Sequence, residues 1–138
     1  MPVLVISCDV LKSSQRFSDT VQDYEIRFVQ LNGVAIRDMA AVDGGFLIIG
    51  GPMGDAPGPY NLYFWDGTDM VYGKDRPAPM PPAVLHLDPI TPPLGENGAR
   101  GKAEGITVLD ETAAGYHVLI IYDSIENGGP QQWFVPKP

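Results

Sequence analysis

Cysteine, basic residues, long apolar runs and helical periodicity are all scarce in this 138-residue chain, and each shortage removes a class of protein. Cys8 is the only cysteine, so no intrachain disulfide exists and the redox compartment stays open. Nine Lys and Arg stand against seventeen Asp and Glu, a net charge of -8. Such a surface repels phosphate backbones and anionic membranes, which argues against nucleic-acid and membrane partners. No stretch approaches the length of apolar chain that a membrane helix needs, and the N-terminus lacks the basic region and apolar run of a signal peptide. The expectation is a soluble chain, cytoplasmic by default.

Catalytic signatures are missing as well. The chain has no HExxH, no paired CxxC and no GxSxG, which removes the motif-based cases for zinc hydrolysis and serine esterase chemistry. The glycine-rich run Gly50 to Gly58 does not end in Gly-Lys-Ser/Thr and precedes a strand, so it is not a phosphate loop. His86 and His117 stand apart in apolar strands and read as packed or edge residues. Cys8 reads as a small apolar residue of a strand.

What remains points to strands and tight turns. Sixteen glycines and fourteen prolines, with 44% hydrophobic residues, suit many short strands in one compact domain spanning 1–138. Val3 to Cys8 is an apolar run with no helical period, and Tyr24-Glu25-Ile26-Arg27-Phe28 alternates apolar and polar. Asn32-Gly33 marks a turn. Ile36 to Val42 and Phe46 to Ile49 flank Asp43-Gly44-Gly45 and read as a hairpin, which also stops any helix begun by Met39-Ala40-Ala41. Tyr60 to Trp65 is an aromatic strand closed by Asp66-Gly67, with Met70-Val71-Tyr72 as its expected partner. Pro77, Pro79, Pro81 and Pro82 make an extended connector. Ala83 to Leu87 is expected to open a second unit, followed by a Gly/Pro-rich loop to Lys102, a hairpin of Gly105 to Leu109 with His117 to Tyr122, and a last strand Gln132 to Val135.

The strand pattern occurs twice, in units of about 24–72 and 83–135. Ile49 and Ile120, and likewise Leu62 and Trp133, are related by one offset of 71 residues. Sheet units of this kind need neighbours to bury their faces.

Val34-Ala35-Ile36-Arg37-Asp38-Met39-Ala40, Leu47 to Pro52, Gly58 to Trp65, Ala103 to Thr107 and Ile120 to Ser124 together resemble a bacterial family of uncharacterised proteins, described as a domain of unknown function and similar to β-propellers. Glu104-Gly105-Ile106 also resembles the repeated inner-strand motif of phytase-like esterase propellers. The resemblance implies an all-β fold of about two to three antiparallel propeller-like blades and transfers no catalytic residue. Closed rings need about four to eight blades, so one chain of this length makes an incomplete ring. Apolar blade faces carrying Leu47, Ile49, Leu119 and Ile121 are then expected to meet water. Leaving ~600 Å² of apolar surface uncovered costs about 15 kcal/mol. That cost predicts a homo-oligomer, most simply a two-fold dimer, and the competing architecture is a small closed barrel with the N-terminal strand paired to a late one.

Arg37, Asp38 and Glu104 fall at the start of the expected innermost strands, where propellers line the mouth of their channel, and Asp123 follows a strand nearby. Asp38 and Glu104 suit a cation and Arg37 an anion; the competing reading is an Arg–carboxylate pair that orders the blades, with Asp123 as a turn cap. No cofactor is required, and calcium is the cation the carboxylates would suit, although Asp43, Asp55, Asp66, Asp69 and Asp110 do not have EF-hand spacing. Tyr60, Tyr63, Trp65, Tyr72 and Trp133 offer either an aromatic binding surface or, since most alternate along strands, core packing. The function these observations favour is a non-enzymatic ligand- or protein-binding module that assembles as a homo-oligomer. A metal-assisted phosphoester or ester hydrolase similar to phytase-like esterases is the alternative, and a remnant active only in assembly a third.

Overall fold

The computed structural model describes residues 2–6, 24–54, 56–68, 84–96 and 98–138. Cys8, Asp55, Asp69, Met70 to Tyr72 and the Pro77 to Pro82 connector lie outside the described residues. Nine strands form three antiparallel sheets: β1 (Pro2–Ile6) with β2 (Tyr24–Phe28); β3 (Ala35–Val42), β4 (Gly45–Gly51), β5 (Tyr60–Trp65) and β6 (Val84–Ile90) in that order; and β7 (Lys102–Glu111), β8 (Gly115–Asp123) and β9 (Gln131–Pro136). The only helical element described is a 3-10 turn at Glu126–Gly128. The fold is all-β, and its short antiparallel sheets are consistent with propeller-like blades.

Several sequence expectations are corrected. β1 pairs with β2, not with a late strand, so the described residues do not close into the alternative barrel. Val84–Ile90 does not open the second unit; it hydrogen-bonds to β5 as the fourth strand of the first sheet. Its Pro89 falls on the edge strand of this sheet among the described residues, the position in which a sheet tolerates proline. Asn32 and Gly33, with φ of 52° and 88°, make the turn that leads into β3.

The two larger sheets pack face to face. Leu47, Ile49 and Leu62 on the inner face of the first sheet share one buried cluster with Tyr116, Val118, Ile120 and Val135 of the second. Both the expected exposure of Leu47 and that of Ile49 are therefore overturned: the second sheet leaves each 0% exposed. The opposite face of the first sheet buries Ile48, Tyr63 and Trp65 under Val29 and Leu31. Alternation along each strand makes this possible, since successive side chains supply two dry faces.

The ladders fix how the sheets correspond. Leu47 opposes Phe64 and Ile49 opposes Leu62, while His117 opposes Phe134 and Leu119 opposes Gln132. His117 is 70 residues beyond Leu47 and Phe134 is 70 beyond Phe64, so the offset of 71 is corrected by one residue. A Cβ on Gly45 would collide with the Trp65 carbonyl and stand 3.0 Å from the Phe64 ring; on Gly115 it would collide with the Val135 carbonyl and stand 2.8 Å from the Phe134 ring. The same glycine-under-phenylalanine contact at the same spacing supports that register. A one-residue slip matters because it exchanges the two faces of every strand.

Candidate functional site

The seam between the sheets runs along β3 and β7, and polar bonds close it at both ends. At one end a bulge at Arg37 in β3 and another at Glu104 in β7 turn these side chains toward each other. The guanidinium of Arg37 donates to both carboxylate oxygens of Glu104, with Nε 3.2 Å from Oε2, and also to the Pro52 carbonyl at 3.2 Å. The two side chains are 16% and 31% exposed, so the pair is partly desolvated. Beside it the Ile106 amide donates to Asp38 Oδ2 at 2.8 Å. Arg37, Asp38 and Glu104 thus lie together at the seam, each bonded across it from one sheet to the other. Asp123 is exposed, and its Oδ1 accepts the Ser124 amide at 2.7 Å, the local turn cap.

The other end carries a clip that the sequence reading missed. Glu111 accepts the Asp43 amide at 3.1 Å and binds Lys137 Nζ at 2.9 Å, and that ammonium sits 5.3 Å over the Tyr116 ring. The hydrogen bond from Lys137 holds the Glu111 carboxyl below its usual range, and Glu111 in turn raises Lys137. A signal existed: Arg37 and Glu104 are 67 residues apart, Asp43 and Glu111 are 68, both just under the repeat.

Near the Arg37 end lies a pocket of about 270 Å³ between the loop 56–58 and the Pro92 to Lys102 segment. Tyr60, Arg100 and Lys102 line it, and Arg100 also donates to the Pro92 carbonyl at 3.4 Å. Arg100 and Lys102 are two apart in extended chain, which puts them on one side. Among the described residues no group of three or more His, Cys, Asp or Glu is placed to hold a metal ion.

The aromatic candidates are mostly packing residues. Tyr60, Tyr63 and Trp65 are buried and Trp133 packs against the main cluster, while Tyr72 lies outside the described residues. Burial raises the phenol pKa of Tyr63, Tyr116 and Tyr122. His86 contacts Asn61 Oδ1 at 3.0 Å, and His117 lies against Phe134 with ring centres 5.0 Å apart.

The face of the second sheet that points away from the first has no cover among the described residues. Ladder pairing puts Thr107, His117, Leu119, Ile121, Gln132 and Phe134 on it. Ile121 and Phe134 are each 47% exposed, and Leu109, at the bulge beside this face, is 51% exposed.

With the geometry in view, comparison with known proteins is informative at one level. Residues 8–132 match the family model described as protein of unknown function (DUF3616). The chain belongs to that family. No curated protein and no solved structure matches it. For this DUF3616 member no helix among the described residues is long and apolar enough to cross a membrane.

Proposed function

We propose that the chain is a non-enzymatic binding module built from propeller-like sheets, with the outer face of β7–β9 as its protein-docking surface. One observation carries the reading: Leu119 and Phe134, partly or substantially exposed on the second sheet, correspond to Ile49 and Phe64, which the first sheet packs into the main buried cluster. Apolar side chains gathered on one sheet face mark an interaction site rather than scattered surface. The pocket beside Arg100 and Lys102 favours a second reading, in which a small anionic molecule is also bound.

The hydrolase similar to phytase-like esterases needs carboxylates available to a cation. Glu104 is engaged by Arg37 and Asp38 by the Ile106 amide, so both spend their charge on the seam. Photo-crosslinking tests the binding reading. A benzophenone amino acid placed at position 134 is expected to give a discrete polypeptide adduct, and the same probe at Met53, a 74% exposed residue of the 52–58 loop, is not. Equal, diffuse labelling from both positions would remove the reading, and calcium-dependent turnover of a phosphoester would replace it with the hydrolase.

A further inference from the structure

We infer that the pocket lined by Tyr60, Arg100 and Lys102 binds a small organic anion, its oxyanion head (a carboxylate or phosphate) held by Arg100 and its apolar body lying against Tyr60, Pro57 and Pro92. The inference rests on the second reading above, that a small anion is bound there, and names its class.

Charge is the first argument. Acidic residues outnumber basic ones seventeen to nine in this chain, yet two cations and no carboxylate stand among the described residues that line the pocket. A cleft lined by one sign of charge concentrates ligands of the other sign. Asp123 stands opposite Lys102 in the ladder of β7 and β8, so Lys102 has a carboxylate to face and the head group is assigned to Arg100.

Arg100 is held for that task. Its loop is tied to itself: the Gly95 amide donates to the Ala99 carbonyl at 2.8 Å, the Gly101 amide donates to the Pro93 carbonyl at 2.9 Å, and Leu94 bridges to Arg100. A guanidinium carries five N–H donors. Among the described residues, the one acceptor this side chain meets is the Pro92 carbonyl, at a long 3.4 Å. The guanidinium of Arg37, by contrast, is taken up by Glu104 and the Pro52 carbonyl. Arg100 keeps a fork for two oxygens of one oxyanion.

Tyr60 supplies an independent observation. It is only 7% exposed, and among the described residues its hydroxyl has no hydrogen-bond partner. Buried polar groups in this condition are exceptions that call for a reason, and a ligand oxygen in the pocket that Tyr60 lines provides one. The ring is backed by the chain itself, since a Cβ on Gly51 would stand 2.7 Å from two of its atoms. The volume of about 270 Å³ lies just under the roughly 300–1,000 Å³ of pockets for drug-sized ligands, which suits an occupant of about ten non-hydrogen atoms.

Amide chemical shifts of the isotope-labelled native chain, titrated with benzoate and with phenyl phosphate, are the test. One or both should move the Gly58 and Gly101 amides and saturate with a Kd of about 1 mM, and the tighter of the two assigns the head group. Arg100→Gln should weaken binding at least about tenfold and Tyr60→Phe about threefold, with the Val118 and Ile120 amides unmoved as the check of folding. Lys137→Met, which removes the same charge at the other end of the seam, should leave the Kd unchanged. Inorganic phosphate that binds as tightly as phenyl phosphate, or anion binding indifferent to Arg100→Gln, overturns the inference and leaves the simpler anion reading standing. Benzyl alcohol that binds as tightly as benzoate, or no shift of either amide with any anion, overturns both.

Discussion

Ile49 and Leu119 stand at the same rung of two similar ladders, and one is sealed while the other is partly wet. The first sheet has both faces covered and so behaves as the interior of the molecule. Among the described residues the second is covered on one side only. The comparison teaches that similar strands do not imply similar energetics: the contribution of an aliphatic side chain here depends on whether a second sheet lies over it.

The sharpest break of that comparison is a pair of truncations. Ile49→Ala should lower unfolding free energy by about 2–5 kcal/mol in urea titrations, whereas Leu119→Ala, measured at concentrations where the chain is monomeric, should cost less than ~1 kcal/mol. Equal losses would mean that the sheets are covered alike.

Gly45→Ala and Gly115→Ala probe what the sheets share. Each new methyl meets a carbonyl and a phenylalanine ring, so each should cost about 1–3 kcal/mol, and the two values should agree. A neutral Gly115→Ala beside a costly Gly45→Ala would break the 70-residue correspondence.

The seam is expected to matter next. Asp38→Ala leaves the amide of Ile106, itself 8% exposed, without its acceptor, a loss of about 1–2 kcal/mol. A double-mutant cycle of Arg37→Met with Glu104→Gln should return a coupling near ~1 kcal/mol, and zero coupling would deny the pair its ordering role.

The smallest effect is in pH. Glu111 has a lowered pKa, so its contribution is present above its ordinary value of 4.5 and is lost as pH falls through the lower, folded-state value. Lys137 has a raised pKa, so its contribution is full below 10.5 and is lost as pH rises through the higher folded-state value. The difference in Tm between the native chain and Lys137→Met should therefore be flat near neutrality and should shrink below 4.5. A difference that persists into strong acid would show that Lys137 acts through its packing on Tyr116 instead.

Much of the strand content could be read from residues alone, because alternation and turn chemistry are local. Asp43-Gly44-Gly45 and the aromatic strand from Tyr60 announce themselves without tertiary information. Pairing was less legible. Val84–Ile90 looked like the start of a new unit because the prolines before it resemble a boundary, yet sheet order is decided by which edge is free, and β5 offered one. The register slipped by one for a related reason: aligning like with like, Ile49 with Ile120, rewards identity, while the true correspondence sets Ile49 against Leu119 and obeys the ladder. At the candidate site, charge type was informative for Arg37 and Glu104, but whether they hold each other or a ligand is a matter of distance. The clip through Lys137 was missed because its one sequence signal, the 68-residue spacing of Asp43 and Glu111, emerges only once the repeat is placed in register.

The inner face of the first sheet also sets a hazard during synthesis. Leu47, Ile49 and Leu62 leave the ribosome well before Val118, Ile120 and Val135 exist to cover them. At about 5–20 residues per second, the stretch between Ile90 and Val135 takes some 2–9 s to make. For that interval the nascent chain carries a bare oily sheet, so slowing translation after β6 should raise its demand for chaperones and its tendency to aggregate.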